Sequence, residues 1–327
     1  MVNKRYVARR LLLMLVSLFT VITILFFLFR MVPGGPMSAI MSPRMTEAAR
    51  QRVIEQFGLN EPLWKQYLLY MVQVAKLNFG QSFYYGQSVT SLIADRFYNT
   101  MSLMLTAFVI SYTVGTYLGA QLGWLRGTSK ERAGMFVVLL IRSTPVFWTG
   151  MIVLYLFSFK LNLFPLGGMR SVSASYAGPA GKFLSLDFLY HLVLPVFTLC
   201  TYYTGLPLLL MRNNLLEVLS EDYIDTARAK GLTNRRILLW HAARNAILPV
   251  VTAFAIAIGF AVGGQVLIET VFSWPGLGRE MVKASLRSDY PVAQGAFVLL
   301  SVIVITMNFI ADLAYTYLDP RVRLEGS

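Results

Sequence analysis

The sequence predicts an all-α polytopic membrane protein with six transmembrane helices and both termini cytoplasmic. Three observations lead there. First, 56% of the 327 residues are hydrophobic and only 14% are charged, whereas charged residues make up about a quarter of an ordinary soluble domain. Second, six stretches reach the roughly 20 apolar residues that crossing the hydrocarbon layer requires: 11–31, 99–122, 134–158, 190–211, 246–268 and 293–317. Third, basic residues divide unevenly between the two sets of connections. Lys4, Arg5, Arg9 and Arg10 precede the first span, Arg126, Lys130 and Arg132 join the second to the third, and Arg212, Arg228, Lys230, Arg235, Arg236 and Arg244 join the fourth to the fifth. The opposite short loops hold only Lys160, Arg170, Lys182, Arg279, Lys283 and Arg287. Short basic connections stay inside, so the ends of the chain and the 212–249 segment are expected in the cytoplasm.

The net charge of +13 is scattered among apolar runs and does not gather into one solvated stripe, so no nucleic acid is expected as a partner. The bilayer is the partner that composition implies. Cys200 is the only cysteine, which excludes an intrachain disulfide, and no Cys/His spacing suggests a metal site.

The first apolar run is longer than a signal-peptide core, has no small-residue cleavage site after it and leads into Pro33-Gly34-Gly35-Pro36. It is expected to be retained as the first span. Residues 32–98 are too many for a bare loop and predict two external helices. One runs from Thr46 to Phe57 with Gly58 as its stop. The other starts at Pro62, ends before Gly80, and has Trp64, Tyr67, Leu68, Met71, Val72 and Ala75 at helical spacing. The expected domains are 1–98, the first span with its external region; 99–318, a five-span core; and 319–327, a short cytoplasmic tail. The segment 160–187, rich in Gly, Ser and Ala, reads as irregular, and no internal repeat is visible.

The polar insert EDYIDTARAKGLTNRRILLWHAARNAILP, 221–249, stands between two apolar spans. Acidic Glu221, Asp222 and Asp225 come early and Arg228 and Lys230 late, the order a helix dipole favours. Gly231 is placed to stop that helix in a left-handed turn, and Thr233 to cap the next. The segments TARAKGL and HAARNAILP resemble the EAA loop of ABC import permeases in its dipeptide/oligopeptide branch, with Asp225 and Thr226 where the name-giving Glu and first Ala would stand. The resemblance runs along essentially the whole chain to Asp319-Pro320-Arg321.

That resemblance implies the ABC type I importer permease fold and one half of a translocation pathway for di- or oligopeptides. Oligosaccharides, nickel chelates and glutathione are other solutes of the same branch. It implies a homologous second permease subunit, two ATPase subunits that bind ATP and Mg, and an external solute-binding protein. Contact with the ATPase is carried over to Glu221, Tyr223, Asp225, Ala227, Arg228, Lys230 and Gly231.

The sequence itself has no G-x-x-x-x-G-K-[ST] loop to cradle nucleotide phosphates and no nucleophile-base constellation. No catalytic residue, metal or cofactor of its own is expected, and His191 and His241 read as structural. Within the spans, Arg142 is a charge in an apolar setting, open to a pathway role or to snorkelling from a shifted helix boundary, and Asp312, one helical turn from Asn308 and also a pathway candidate, is expected to pair with a basic group. Pro145, Pro195, Gly205 and Pro207 interrupt helical runs. Ala255, Gly259 and Gly263 form a small-residue face for close helix packing, and Gly263-Gly264 are candidates for local unwinding. Two other classes compete. An ion-coupled secondary transporter would also use a buried charge but shows inverted repeats, and an intramembrane enzyme needs catalytic pairs that are missing.

Overall fold

The computed structural model describes residues 4–31, 51, 54–55, 58–173, 178–261 and 265–318. Helices in chain order are α1 (Lys4–Met31), α2 (Leu63–Ala75), α3 (Val89–Trp124), α4 (Ser129–Ser143), α5 (Val146–Val153) continuing as a π-helix over Leu154–Lys160, and α6 (Gly178–Leu184). They are followed by α7 (Leu186–Tyr203), α8 (Gly205–Val218), α9 (Asp222–Ala229), α10 (Asn234–Ala246, with a π-helical middle), α11 (Leu248–Ala261), α12 (Val266–Val271), α13 (Leu277–Leu286) and α14 (Tyr290–Leu318). Among the described residues four helices are long and apolar enough to cross a membrane, and six spans result if each of two bent pairs is one span.

Both bent pairs revise the sequence reading. The stretch expected as a straight span at 134–158 turns by 96° between α4 and α5. The cause is local: Pro145 starts α5, and Thr144 before it is extended, at φ −82° and ψ 135°, because the proline ring disfavours a helical residue ahead of it. The second bent pair joins α10 to α11 at 48°, with its break at the start of the stretch expected at 246–268, and Gln265 before α12 is not helical. By contrast, Pro195 lies inside α7, and Gly205 with Pro207 leaves only a one-residue irregularity at Thr204, so Leu186–Val218 remains one 33-residue span. The 160–187 segment also contains a helix, α6, and Gly168 N–H donates to the Phe272 carbonyl at 2.8 Å. Most of the helix expected at 46–57 lies outside the described residues.

The chain divides into two units. The first comprises residues 1–101, 262–266 and 275–327. In it Ile22, Leu25, Phe26 and Phe29 are buried at i, i+3, i+4 and i+7, one stripe of α1, and α1 packs along α14. Leu12, Val16, Phe19, Ile24, Phe27 and Leu28 are exposed. An apolar helix left this bare needs lipid as its solvent. The helix α2 lies on α1 through Tyr67, whose hydroxyl bonds the Thr23 hydroxyl at 2.8 Å, and Gln66, whose Oε1 accepts from Arg30 Nε at 2.8 Å. Its buried residues are Gln66, Tyr70 and Val74, whereas Trp64, Leu68, Val72 and Ala75 of the apolar stripe are exposed, as suits a helix at the membrane interface.

The turn after α2 is held by buried carboxylates. Asp289 accepts from the Ser82 hydroxyl and from the backbone N–H groups of Phe83 and Tyr84. Glu280 accepts from the Tyr85 hydroxyl at 2.8 Å and pairs with Arg96 at 3.2 Å. Burial, followed by that carboxylate, pushes the Tyr85 phenol above its usual range, which keeps it a donor.

The second unit comprises 102–261 and 267–274. It is organised on a close contact between α3 and α8. A Cβ built on Gly115 would lie 2.6 Å from the Thr204 carbonyl oxygen, one on Gly119 would collide with the Leu208 carbonyl, and one on Gly123 would lie 3.0 Å from a Leu215 methyl. Glycines at i, i+4 and i+8 therefore let the two backbones touch. Phe272, Trp274 and Ile268 fill the space beside α5 and α7, with Gly150 against Phe272 and the Phe188 ring 5.8 Å from that of Trp274.

Candidate coupling surface

The insert between α8 and α11 folds as two helices on one another. Glu221 takes the extended N-cap conformation, and Asp222 and Asp225 occupy the first turn of α9, where carboxylates meet the positive end of the helix dipole. Ile224 and Ala227, three residues apart, are buried against the π-helical part of α10. Tyr223, Asp225, Thr226, Arg228, Ala229 and Lys230 are exposed. Ala227, grouped with the contact residues by the sequence, thus faces its own chain. Its small side chain sets how closely α9 approaches α10.

The stop at Gly231 is a Schellman turn. With φ at +73°, Gly231 donates to the Arg228 carbonyl at 2.9 Å, and Leu232 donates to the Ala227 carbonyl at 3.3 Å. Thr233 sits at the following N-cap position, but its side chain makes no capping bond. That correction leaves the bend resting on the glycine. The Tyr223 hydroxyl accepts from Asn245 Nδ2 at 2.8 Å and reaches the His241 carbonyl at 3.4 Å, fixing the exposed helix to the one beneath it. Arg228 and Asp225 pair within α9 at 2.9 Å, both well exposed, so their attraction is weak and either can turn to a partner.

A second tie was not anticipated from the sequence. Thr128 caps α4 by accepting from Glu131 N–H at 3.2 Å, and the Glu131 carboxylate turns back onto Gly127 N–H at 2.6 Å. Its other oxygen accepts from Arg212 Nε at 2.9 Å and also from an Arg212 terminal nitrogen. Arg212 lies on α8 seven positions before Leu219, where α8 runs out towards α9. The 125–128 connection is therefore bolted to the helix that carries the insert. Glu131→Ala and Arg212→Ala are each expected to lower the thermal midpoint of the purified protein, and the double variant to lose less than the sum of the two; strictly additive losses would refute the tie.

The pathway candidates fall in both units. Arg142 is exposed at the end of α4, without a hydrogen-bond or ion-pair partner among the described residues, and its stem packs over Gly205. Pro145 is the bend itself. Gly259 lies within α11, and Gly263 and Gly264 lie outside the described residues. Asp312 belongs to the first unit, where it pairs with Arg10 at 2.7 Å. No group of His, Cys, Asp and Glu that could hold a metal occurs among the described residues.

Residues 111–324 match the family described as binding-protein-dependent transport system inner membrane component, and residues 3–104 match the N-terminal region of the same membrane component. The chain belongs to this family. The insert and its bend lie inside the longer match. Among relatives, the oligopeptide transport system permease protein AppB of Bacillus subtilis is 36% identical, covering 97% of this chain and 98% of that one. The dipeptide transport system permease protein DppB of Escherichia coli K12 is 35% identical, covering 98% of each chain. Inward-facing structures of the MetNI methionine ABC transporter share the fold, with a TM-score of 0.54 at 17% identity over 70% of this chain and 96% of that one. A family of multi-pass permease subunits of ABC importers accounts for the apolar spans and for a polar insert between two of them. Its members are membrane permeases, not enzymes.

Proposed function

We propose that this chain forms half of the translocation pathway of an ATP-driven importer of di- or oligopeptides, beside a homologous second permease. Two ATPase subunits bind ATP and Mg, and an external solute-binding protein delivers the peptide. Both termini and the 212–249 insert face the cytoplasm. The observation that carries the coupling part is the two-faced α9: Ile224 and Ala227 buried, with Tyr223, Asp225, Arg228 and Lys230 turned out beside an N-cap at Glu221 and a fixed bend at Gly231. A helix held this way on its inner side moves as a rigid body when its outer side is pushed, and exposed charges of both signs orient a partner surface. Peptides as cargo are supported by relatives named as peptide permeases that match over nearly the full chain.

The test joins position and transport. Cysteine in place of Asp225 is expected to cross-link to an ATPase subunit in membranes, and vesicles holding the complex should take up a dipeptide only with ATP inside and the binding protein outside. Labelling of that cysteine from the external side, or uptake without ATP, would sink the reading.

A further inference from the structure

A pocket in the first unit, between α1, α2 and the start of α14, gathers a cation and buried hydrogen-bonding groups with no acidic side chain among its lining residues. It is lined by Arg30, Tyr70, Gln73, Asn78, Phe79 and Gln294, among others. Arg30 spends its Nε on Gln66 at 2.8 Å and lays its guanidinium over Phe26 at 4.9 Å, but no acidic side chain pairs with it among the described residues. The Tyr70 hydroxyl and Gln294 Nε2 are both buried and face each other, and neither has a further partner. Tyr70 is 8% exposed and Gln294 5%. Burial pushes the Tyr70 phenol well above its usual range, so it stays protonated. Arginine and an amide nitrogen can only donate, and buried donors left unpaired are costly. What is missing is an oxygen that carries negative charge.

Position narrows the choice of anion. Arg30 stands just beyond the apolar run of α1, at the end opposite Lys4–Arg10, which is headgroup level in the leaflet away from the basic terminus. The enclosed part of the pocket holds about 20 Å³, room for one oxygen atom, with the rest of an anion at its mouth. Phe79 is also a wall of an apolar groove of about 200 Å³, formed with Leu77, Ile93, Phe97, Leu299 and Ile303. Along α14, Leu299 and Ile303 are five and nine residues deeper than Gln294, about 7–14 Å at the rise of a helix.

We propose that this pocket binds the phosphate of a phospholipid, with an acyl chain of the same lipid in the groove beyond Phe79. A phosphodiester supplies the charged acceptor that Arg30, Tyr70 and Gln294 lack, and the lipid fastens α2 and the 76–79 turn to α1 and α14.

The experiment uses the complex purified from membranes. Retained phospholipid is extracted and counted, and after delipidation the thermal midpoint is followed while phosphatidylglycerol or inorganic phosphate is added. Retained lipid and a midpoint that rises with phosphatidylglycerol alone are expected. Arg30→Gln and Gln294→Leu should each raise the half-saturating lipid concentration about tenfold, the size of a hydrogen bond to a charged group. Gln294→Leu guards against a folding artefact, since it leaves the Arg30–Gln66 hydrogen bond in place. The proposal is overturned if neither ligand moves the midpoint, which leaves water as the occupant, if inorganic phosphate acts as well as lipid, or if Gln294→Leu titrates like the wild type.

Discussion

Replacing Gly119 with leucine is expected to abolish the assembled protein, and Gly119→Ala to weaken it severely. The ideal Cβ at this position collides with the Leu208 carbonyl and comes within 2.9 Å of Met211 Cβ. The obstacle is mostly backbone, which no rotamer change relieves. Overpacking of this kind costs about 1–3 kcal/mol for a single added methyl group, and leucine adds three more carbons to the same gap. The helices would have to separate. That separation would also draw Gly115 away from the Thr204 carbonyl and shift α8, which holds Arg212 against Glu131 and carries the coupling insert. The loss should appear as a fall in detergent-extracted monodisperse protein and in the thermal midpoint of what remains. Gly127→Ala is the control: its φ is +81°, but nothing lies within 4 Å of an added Cβ, so only backbone strain of about 1–2 kcal/mol is expected there. Equal yields of Gly119→Leu and wild type would show that α3 and α8 do not meet as closely as described.

This contact illustrates what was legible in the sequence and what was not. The run Gly115-x-x-x-Gly119-x-x-x-Gly123 is plain to see, as readable as the Ala255, Gly259 and Gly263 spacing, yet a spacing names a face without naming its partner. The spans were legible because hydropathy alone decides them. Their bends were not: Pro145 is visible as a breaker, but a proline within an apolar run is compatible with both a mild kink and the 96° turn found here, as the unbroken α7 around Pro195 shows. The helix α2 makes the more general point. Counting apolar residues groups Trp64, Leu68 and Val72 on one face without saying whether protein or the interface covers it, and the protein covers Gln66, Tyr70 and Val74. In water an apolar stripe must be buried by protein, but beside lipid it need not be, so periodicity no longer says which face meets the chain. Long-range polar ties were hidden for a different reason. Glu131 and Arg212 are 81 positions apart, and the sequence shows Glu131 only as the acid three residues after Thr128. The fold of the polar insert was the most legible part because its signals are local: acids first, bases last, a glycine to end it. Where the local rule was weakest, at the Thr233 cap, the reading needed correction.

The second large effect concerns transmission, with the fold left nearly intact. Gly231→Leu is expected to leave assembly close to normal while uncoupling peptide uptake from ATP hydrolysis. Nothing lies within 4 Å of a Cβ added to Gly231, so the substitution meets no neighbour. It does meet its own backbone, because φ is +73° and a branched side chain in the left-handed region costs about 1–2 kcal/mol. The chain can shed that strain only by opening the Schellman turn, losing the bonds from Gly231 to Arg228 and from Leu232 to Ala227. With the turn open, α9 remains attached through Ile224 and Tyr223, but its angle to α10 is no longer set. A push on Asp225 and Lys230 then turns the helix on its anchor and fails to move α8 and α11. The complex should purify with its ATPase subunits and hydrolyse ATP, with the response to loaded binding protein lost and uptake reduced at least tenfold, about 1.4 kcal/mol of transmitted free energy. Gly231→Asn separates geometry from side-chain loss, since asparagine tolerates the left-handed region. It should recover most of the uptake. Normal stimulation and uptake in Gly231→Leu would mean that the bend is dispensable and that force crosses the insert by another route.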